Sequence, residues 1–595
     1  MSVLMRLLTG IATIEFLVAL YVMAGGAFRW QAGPLRISAS DPAQPFTIAV
    51  ICGALAIWLS DWRGNGLSWS AVARWSRTAA IVASLVTILV GVRWAVGVAA
   101  GADAYGYVSQ ASLWAAGDLI VPEPLAALEP SLATSAAPLG YKPALVPAAN
   151  VPTYSPGLPL LMALALVGGP DAVYVVVPIL GGLAVWCTFL IGERLAGPRT
   201  GLFAALLTAS SPMFLFHLFE PMSDLPVTAW WLLAILCGLR AAPAAAFASG
   251  LAAAAAVLTR PNLVPLAGIV AVLSATRPDS VRRLALFVCG LLPGVLAVAA
   301  VNQWLYGSPL SSGYGPLSLL FSLDSFVPNM ARYPRWLIDL HTAGILLAFA
   351  APFLHEGSRG NRGTDVGISS RSDAWILLAF CLAVGACYVF YLVFPDWPAL
   401  RFLLPAIPLL FVLSSAVVVR ALALVPLHTR GALAFALCGL LGCWYVQKAD
   451  ALGVFLIQGS QRRYVTTGEF ANRSLPQESV ILTVIQSGTM RWYGHRPTLR
   501  WDQLQAGALE PTLETLRTHG LKPYLLVEDG EEEAFRSQFA GTSGLGQLDW
   551  PPAYELASQP IVRIYDPDDR ARHLAGETIR TQQIGDDEST TEPAR

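Results

Sequence analysis

A carboxylate directly follows the third long apolar run of this chain. Asp103 stands three residues after the run Ala79–Ala100 and opens the sequence Asp-Ala-Tyr-Gly-Tyr. A carboxylate fixed at the mouth of a membrane helix can act at the lipid–water boundary, and ionisable groups there usually mark a site or a pathway. That position suggests chemistry on a substrate with one lipid end and one hydrated end. Capping of the following helix is the competing interpretation, since Asp is a common N-cap residue, and both roles can coexist.

A second acidic position lies in a short hairpin between two later apolar runs. Glu220 and Asp224 are four residues apart there, and Pro226 follows Asp224. An acidic residue just ahead of a proline is also typical of a helix start. Two carboxylates close together, expected at the same membrane face as Asp103, favour a functional role slightly over capping alone.

Three cations are expected at this same face. Arg260 interrupts an otherwise apolar stretch, Arg401 stands at the entrance to another apolar run, and Lys142 lies in the long loop after the third run. Arginines on the outer face run against the usual bias of membrane proteins. Because phosphate matches the fork of a guanidinium group, these cations predict a binding site for a phosphate or pyrophosphate.

Ion pairs give the two arginines an alternative role. Arg260 could pair with Glu220 or Asp224 in a purely structural contact. Arg401 could pair with Asp396, or its long side chain could reach lipid headgroups. The sequence leaves both alternatives open.

Aromatic residues near these positions are candidates for contacts with a sugar. Tyr105 stands two residues after Asp103, and Tyr314 lies in a loop rich in Gly, Ser and Tyr. Such a composition offers adaptable hydrogen bonds and stacking surfaces, but it is equally typical of any ordered loop.

The composition indicates the class of protein that positions these residues. Of 595 residues, 55% are hydrophobic and 13% are charged, whereas about 25% are charged in soluble proteins. This indicates a polytopic helical membrane protein. The net charge of −1 and the lack of a Lys/Arg block give no indication of nucleic acid as a partner. All eight cysteines lie in apolar runs and the seven histidines are scattered, so neither disulfides nor a cofactor or metal ion is indicated.

The fold class expected is mainly α, with about 13 spans. A span needs roughly 20 apolar residues to cross the hydrocarbon core. The candidates are 7–24, 46–60, 78–100, 171–192, 200–218, 226–239, 246–259, 262–276, 284–305, 336–354, 374–394, 402–420 and 431–447.

Arginines in the short loops predict the orientation. Successive spans place their connecting loops alternately on the two sides of the membrane. With the 13 spans above, six arginine-containing loops fall on the same side, those with Arg77, Arg194, Arg240, Arg283, Arg371 and Arg430. The positive-inside rule makes this side the cytoplasm, with the N-terminus inside and the C-terminus outside. The composition of the chain, rich in Ala, Gly, Arg and Trp, suggests the inner membrane of a bacterium as the expected location. The outer loop 101–170 is expected to hold an interfacial helix at 104–116 and a re-entrant helix at 157–167.

Four regions follow from these patterns. We expect N-terminal spans at 1–78 and a membrane core at 79–447 that includes the outer loop. Short β-branched runs alternate with helical patterns over 448–569, which predicts a small extracytoplasmic α/β domain. The polar residues 570–595 are expected to be a disordered tail.

Several short segments, in this order and with this sidedness, resemble the C superfamily of glycosyltransferases (GT-C). These are polytopic enzymes that take a sugar from a polyprenyl-phosphate carrier, and the resemblance is to protein O-mannosyltransferases and the lipid A aminoarabinose transferase. It covers roughly 79–420. The segments are Asp103–Tyr107, Tyr154–Leu160, the hairpin with Asp224, Thr259–Pro261, Tyr306–Pro309 and Arg401–Pro405.

The resemblance implies roles for the candidate residues. Asp103 would be the catalytic carboxylate and Asp224 the second acidic position, while Lys142, Arg260 and Arg401 would contact the carrier phosphate. Glu220, Tyr105 and Tyr314 are further candidates for substrate contacts, and no metal ligand is assigned.

The expected activity is transfer of a sugar from a polyprenyl-phosphate donor to an extracytoplasmic acceptor, which would be a glycan, lipid or protein. Direct displacement would invert the anomeric carbon, with Asp103 as general base. Two alternatives are a membrane transporter or flippase and a non-catalytic scaffold for lipid-linked glycans. Gathering of the charges at one face, without a visible duplication of the chain, favours the enzyme over the transporter.

Overall fold

The structure is a computed structural model that describes residues 2–23, 28–32, 35–39, 42–64, 67–355 and 370–585. Helices dominate it, as the composition predicts. The acidic end of the expected tail, 586–595, lies outside the described residues.

The N-terminal region is a set of three long helices with a hairpin between the first two. Its elements are α1 (Ser2–Met23), β1 (Phe28–Ala32), β2 (Leu35–Ala39), α2 (Ala43–Gly64) and α3 (Leu67–Trp94). Helix α3 ends at the point where the chain turns toward Asp103.

The loop after α3 is ordered and carries short elements. They are α4 (Asp103–Ala115), β3 (Val121–Pro122), α5 (Pro124–Leu128), α6 (Ala133–Ala136), β4 (Tyr141–Pro143), β5 (Ala149–Pro152) and α7 (Gly157–Ala165). The three strands form a small antiparallel sheet in the order β3-β5-β4. Helix α4 matches the predicted interfacial helix in its bounds, but its residues from Ala104 to Ala111 are all buried. It is therefore covered by protein instead of lying open on the interface.

Eleven further helices follow in the described part of the membrane region. They are α8 (Val176–Ala196), α9 (Pro198–Ser210), α10 (Pro212–Phe219), α11 (Asp224–Gly238), α12 (Pro243–Thr259), α13 (Pro265–Ala275), α14 (Ser280–Tyr306), α15 (Phe326–His341), α16 (Arg371–Tyr388), α17 (Ile407–Leu422) and α18 (Leu427–Ala451). Two 3₁₀ segments, Ala343–Phe353 and Trp397–Leu403, lie before α16 and α17 respectively.

The number of spans is smaller than the predicted 13 when each is required to be one long helix. Among the described residues, six helices are long and apolar enough to cross a membrane, and nine if three bent pairs each count as one span. Four of the predicted spans or re-entrant segments are apolar helices of 10–17 residues, namely Gly157–Gly168, Asp224–Gly238, Pro243–Thr259 and Pro265–Ala275.

Proline explains one of the bends. Helix α9 ends at Ser210 and α10 starts at Pro212, with 58° between them. Proline has no N–H for the helical ladder and clashes with the preceding turn, whereas it is favoured at the first position of a new helix. The Ser211 hydroxyl accepts a hydrogen bond from the Phe214 amide at 3.4 Å and caps α10.

The C-terminal region folds around a six-stranded mixed sheet. Its elements are α19 (Ile457–Ser460), α20 (Arg462–Ser474), β6 (Ser479–Leu482), α21 (Ser487–Trp492), β7 (Thr498–Leu499), α22 (Leu509–Thr518), β8 (Lys522–Glu528), α23 (Asp529–Phe539), β9 (Tyr554–Leu556), β10 (Val562–Tyr565), α24 (Pro567–Leu574) and β11 (Gln582–Gln583). The strand order is β11-β9-β10-β8-β6-β7. Strands β6, β8 and β10 fall on the runs 479–485, 523–527 and 561–565, whose β-branched and aliphatic residues predict strands.

Part of the segment expected to be a disordered tail, residues 570–585, is ordered in the structure. Residues 570–585 contain the end of α24 and strand β11, which pairs in parallel with β9. Ile584 is buried, and Arg570 pairs with Asp549 at 2.7 Å. These contacts hold a polar segment whose composition alone offers too little apolar area to fold.

The C-terminal sheet region is fastened to the loop that starts with α4. The Arg491 guanidinium donates to Glu123 Oε2 at 2.6 Å, and the Glu123 side chain is fully buried. The Arg500 amide donates to the Ser135 carbonyl at 2.6 Å. Because a buried carboxylate needs a partner, the Arg491–Glu123 pair joins the two regions firmly.

Candidate active site

Asp103 lies in the first turn of α4, and both of its carboxylate oxygens have partners. The Tyr154 hydroxyl donates to Oδ1 at 2.7 Å, and Arg401 Nη1 donates to Oδ2 at 2.9 Å. The cap position is Ala102, without a side-chain hydrogen bond. Asp103 is therefore not the N-cap of α4, and its side chain, 32% exposed, is directed to the site.

Tyr154 reaches Asp103 because α4 carries a glycine. A Cβ at Gly106 would collide with the Tyr154 ring. The ring also packs on Tyr107, with centroids 4.4 Å apart, while Gln110 Nε2 donates to the Tyr154 carbonyl at 3.1 Å. Gly106 and Tyr107 thus form the contact surface for Tyr154, which comes from the segment after β5.

Arg401 comes from the 3₁₀ segment Trp397–Leu403. Its partner is Asp103 and not the neighbouring Asp396, so the local ion pair considered from the sequence does not form. One terminal nitrogen contacts Asp103, and the same nitrogen lies 3.9 Å from the Met222 sulfur. Its side chain is 23% exposed, which leaves part of the guanidinium open toward the site.

A second ion pair joins Arg260 to Asp224. Arg260 Nη2 lies 2.8 Å from Asp224 Oδ1, and the Asp224 side chain is fully buried. Arg260 Nε donates to Ser223 Oγ at 3.0 Å, and Nη1 donates to the Tyr388 hydroxyl at 3.3 Å. The structural pair considered from the sequence is present, and it uses all three nitrogens of the guanidinium. The cap of α11 is Ser223, not Asp224, and it makes no side-chain cap bond.

The two ion pairs belong to one network. The Ser223 hydroxyl, which accepts from Arg260, also accepts from the Tyr107 hydroxyl at 2.7 Å. Both guanidinium carbons lie near the centre of the Phe402 ring, that of Arg260 at 5.7 Å and that of Arg401 at 5.2 Å. A cation over an aromatic face is attracted to it, so Phe402 holds the two arginines side by side despite their like charge.

Glu220 is buried directly after α10. Burial raises the pKa of its carboxyl to about 7, and the charge of Asp103 adds to the increase while Arg401 opposes it. A carboxyl group with a pKa near neutrality can hold or release a proton under ordinary conditions, which is what acid–base chemistry requires.

Lys142 and Tyr314 lie on a wall formed by β4 and the loop 306–315. Lys142 Nζ lies 3.5 Å from the Ser312 carbonyl and 4.5 Å from the centre of the Tyr306 ring. Burial lowers the pKa of its ammonium group. The Tyr314 ring meets the Tyr154 ring edge-on at 5.9 Å and is 45% exposed, so Tyr314 stands at the open side of the site.

Tyr105 is the predicted residue that the structure places elsewhere. Its ring packs on Tyr141 at 5.9 Å and on Trp492 at 6.5 Å, and a Cβ at Gly488 would collide with it. It is buried and faces the C-terminal region. Tyr105 therefore anchors α4 and does not line the site.

Several residues in the network were not singled out from the sequence. Tyr154, Tyr107, Ser223 and Phe402 lie inside the segments that carry the family resemblance, whereas Tyr388 lies outside them, and none of the five bears a charge. His217 on α10 is another, fully buried, and within the described residues neither ring nitrogen has a hydrogen-bond partner. Its apolar neighbours in sequence gave no signal beyond the residue type itself.

The described residues contain no group of three or more His, Cys, Asp or Glu side chains arranged as metal ligands. The site consists of two carboxylate–arginine pairs, one further carboxyl group and tyrosine hydroxyls. Such an arrangement can accept a proton and can bind an anion.

One family model matches part of the chain. Residues 156–304 match the model described as dolichyl-phosphate-mannose-protein mannosyltransferase. The matched segment contains Glu220, Asp224 and Arg260, and lies between Asp103 and Arg401. It confirms the resemblance noted in the sequence. Comparison with curated proteins gives no match.

Among solved structures, the chain is similar to several membrane glycosyltransferases. ArnT from Cupriavidus metallidurans in the apo state has 14% identity and a TM-score of 0.49, with 82% of this chain and 96% of that chain covered. The Archaeoglobus fulgidus oligosaccharyltransferase in the apo form has 12% identity and a TM-score of 0.45, with 83% of this chain and 74% of that chain covered. The arabinofuranosyltransferase AftD from Mycobacteria has 16% identity and a TM-score of 0.44, with 76% of this chain and 35% of that chain covered. All three TM-scores lie below 0.5.

Proposed function

We propose that the protein is an integral-membrane glycosyltransferase that moves a sugar from a polyprenyl-phosphate donor to an extracytoplasmic acceptor hydroxyl. The observation that carries this proposal is the setting of Asp103 in the first turn of α4. One of its oxygens is held by a tyrosine and the other by an arginine. The family match to residues 156–304 supports the class of donor.

Asp103 is the general base of the proposed reaction. The acceptor hydroxyl loses its proton to the Asp103 carboxylate as its oxygen bonds to the anomeric carbon. The bond from that carbon to the phosphate oxygen breaks, and the electron pair leaves with the polyprenyl phosphate. A single displacement inverts the anomeric centre, because no covalent intermediate is formed with the enzyme.

The two arginines have different parts in this proposal. Arg260 uses all three guanidinium nitrogens within the protein, so its part is to hold Asp224 and Ser223. Arg401 uses one terminal nitrogen for Asp103, and a guanidinium has five N–H donors. Arg401 is therefore the main contact for the leaving phosphate, and charge stabilisation of this kind contributes strongly to catalysis.

Transfer of Arg401 to the incoming phosphate also prepares the base. As the guanidinium turns toward the phosphate, Asp103 loses a hydrogen bond that stabilises its charged form. The Asp103 carboxylate is then free to accept a hydrogen bond from the acceptor hydroxyl. Donor binding and base activation are thus coupled through one side chain.

Other residues complete the substrate site. Lys142 gives the site a further cation for the phosphate, and Tyr314, at the open side, provides a surface for a sugar ring. Glu220 is the second group with acid–base capacity and would contact the acceptor. We place this site on the extracytoplasmic side of a bacterial inner membrane, with the N-terminus in the cytoplasm and the C-terminal sheet region outside.

Sugar transfer by purified protein tests the proposal. Wild type and Asp103→Asn would be incubated with lipids that carry a radiolabelled polyprenyl-phosphate sugar, together with a mixture of acceptors. Label that leaves the lipid only with wild type supports a transferase with Asp103 as its base. Binding of the lipid without release by either protein would instead support the scaffold. Movement of intact labelled lipid between leaflets would support the flippase.

A further inference from the structure

Three arginines converge on a small cavity far from Asp103. The cavity has a volume of about 210 Å³ and is lined by Arg77, Leu190, Glu193, Arg194, Leu236 and Arg240. One of the cations is offset, because Arg77 Nη2 lies 2.9 Å from Glu193 Oε2. The lining of the cavity thus contains three guanidinium groups and one carboxylate.

The cavity lies at the opposite end of helices that carry the active site. Arg77 precedes Trp94, the last residue of α3, by 17 positions, which corresponds to ~26 Å along a helix. Arg240 follows the end of α11, and Asp224 is the first residue of that helix. The cavity therefore lies near the far membrane boundary and takes no part in the site around Asp103.

The turn that carries Arg240 is held by hydrogen bonds from a buried arginine. Arg283 is fully buried, and its guanidinium donates to the Arg240 carbonyl at 2.8 Å and to the Ala241 carbonyl at 2.7 Å. The last carbonyls of a helix carry partial negative charge, which opposes an anion. Arg283 also donates to the carbonyl of Gly238, the last residue of α11, at 3.3 Å. The turn can therefore present a cation to an anionic ligand without that opposition.

Arg240 itself has an open guanidinium. Its side chain is exposed and makes no hydrogen bond or ion pair within the part of the chain that the structure describes. Leu190 and Leu236 give the cavity an apolar side. On the same helix as Arg77, Trp75 is 61% exposed, and exposed tryptophans are enriched at the level of lipid headgroups.

We propose that this cavity binds the phosphate group of an anionic phospholipid from the surrounding membrane. The guanidinium fork fits two phosphate oxygens, and basic pockets between membrane helices are a recurring form of headgroup site. The apolar side and the exposed tryptophan place the cavity where a headgroup lies, which favours a lipid over a phosphate from solution. The site is independent of the proposed sugar transfer.

Thermal unfolding of the full chain in detergent tests this proposal. Phosphatidylglycerol, phosphatidylcholine and inorganic phosphate would each be titrated against wild type, Arg240→Gln and Arg335→Gln. Arg335 is 80% exposed and lies outside the cavity, so its replacement removes the same charge elsewhere. We expect phosphatidylglycerol to raise the melting temperature of wild type more than phosphatidylcholine does. Its apparent affinity should fall about fivefold in Arg240→Gln and stay unchanged in Arg335→Gln.

Each other outcome overturns a defined part of the proposal. Equal stabilisation by the two phospholipids in wild type, or an equal loss in both variants, would remove the headgroup site. Stabilisation by inorganic phosphate alone would show a site for a free anion. If Arg240→Gln failed to fold, Arg240→Lys would replace it. That variant keeps the charge but loses the fork, so unchanged selectivity between phosphatidylglycerol and phosphatidylcholine would contradict the proposed fit to phosphate.

Discussion

Arg401 and Asp103, 298 positions apart in the chain, form an ion pair in which Nη1 and Oδ2 are 2.9 Å apart. A second pair, between Arg260 and Asp224, lies beside it. The first pair is partly exposed and the second is almost wholly buried. This difference in exposure separates a pair that can open to a substrate from a pair that supports the site, and the predictions below depend on it.

Replacement of Asp103 by Asn should abolish most of the sugar transfer. Asparagine keeps the size of the side chain but cannot accept the proton, and general base catalysis typically contributes 10²–10⁴-fold to a rate. We expect a loss of about that size, with the melting temperature within a few degrees of wild type. The measurement is the initial rate of release of labelled sugar. Transfer at the wild-type rate would remove Asp103 from the mechanism.

Loss of either arginine should have a different consequence. Arg260→Ala leaves the Asp224 carboxylate buried and unpaired, which costs about 3–5 kcal/mol, so the melting temperature should fall strongly. Arg401→Ala leaves a carboxylate that water can reach, so its stability should change little while the rate falls by roughly 10²–10³. The double variant Arg260→Met with Asp224→Leu should recover stability without activity. Equal losses of stability in the two single variants would contradict the different roles.

Glu220 should make stability depend on pH in a defined direction. Its pKa is raised from 4.5 to about 7, so the folded state binds more protons than the unfolded state between these values. Stability therefore falls as the pH rises through this window, by on the order of 3 kcal/mol in total. Glu531, whose pKa is also raised to about 7 by burial, contributes a dependence of the same sign.

The variant Glu220→Gln isolates the first contribution. The melting temperature of Glu220→Gln relative to wild type should rise between pH 5 and pH 8, because glutamine cannot ionise. Glu531→Gln should show its own rise of the same sign, which comes from the C-terminal region. A difference between Glu220→Gln and wild type that is constant across this range would show that Glu220 is not a buried neutral acid.

The pair between Arg491 and Glu123 should determine the order of the loop that starts at Asp103. Arg491→Met leaves the buried Glu123 with only its bonds from Asn150 and the Leu125 amide. We expect faster proteolysis within 101–170 and a loss of transfer, although no substrate contact is removed. Adding Glu123→Gln should restore part of the protection from proteolysis and part of the sugar transfer, because it removes the unpaired charge. Normal protection of the loop in Arg491→Met would show that the C-terminal region does not hold it.

The position of the charged residues was predictable from the sequence, but their pairing was not. A charge is conspicuous in an apolar background, so Asp103, Asp224, Arg260 and Arg401 could all be found by inspection. Asp396 was the local candidate for Arg401 because it is close in sequence. The actual partner comes from the other end of the membrane region, and local spacing carries no information about such a contact.

Tyr105 shows how helix geometry separates neighbours. Residues two apart on a helix point about 200° away from each other, whereas residues four apart share a face. Tyr105 therefore faces away from Asp103, and Tyr107 lies on its side and joins the network. The helix was predicted, and with its first turn placed at Asp103 the same reasoning would have selected Tyr107.

The bent and short helices explain the difference in span number. Apolar length predicts where the chain is surrounded by lipid or protein, but it does not distinguish a straight helix from two helices that meet at an angle. The break at Thr342 is an example, since this residue has a φ of 62° and separates two segments that differ by 100° in direction. Only the packing of neighbouring helices determines such a break.

Helix α4 is locked against both rotation and translation. On one side it offers a hollow at Gly106 to the Tyr154 ring, and on the other side its Tyr105 ring fills the hollow at Gly488. Any turn or slide of the helix would drive one ring into a backbone. The carboxylate of Asp103 therefore has a fixed position and orientation, and substrates must bind next to it. We therefore expect movement during turnover in the exposed loop that carries Tyr314, which would open and close over a rigid site.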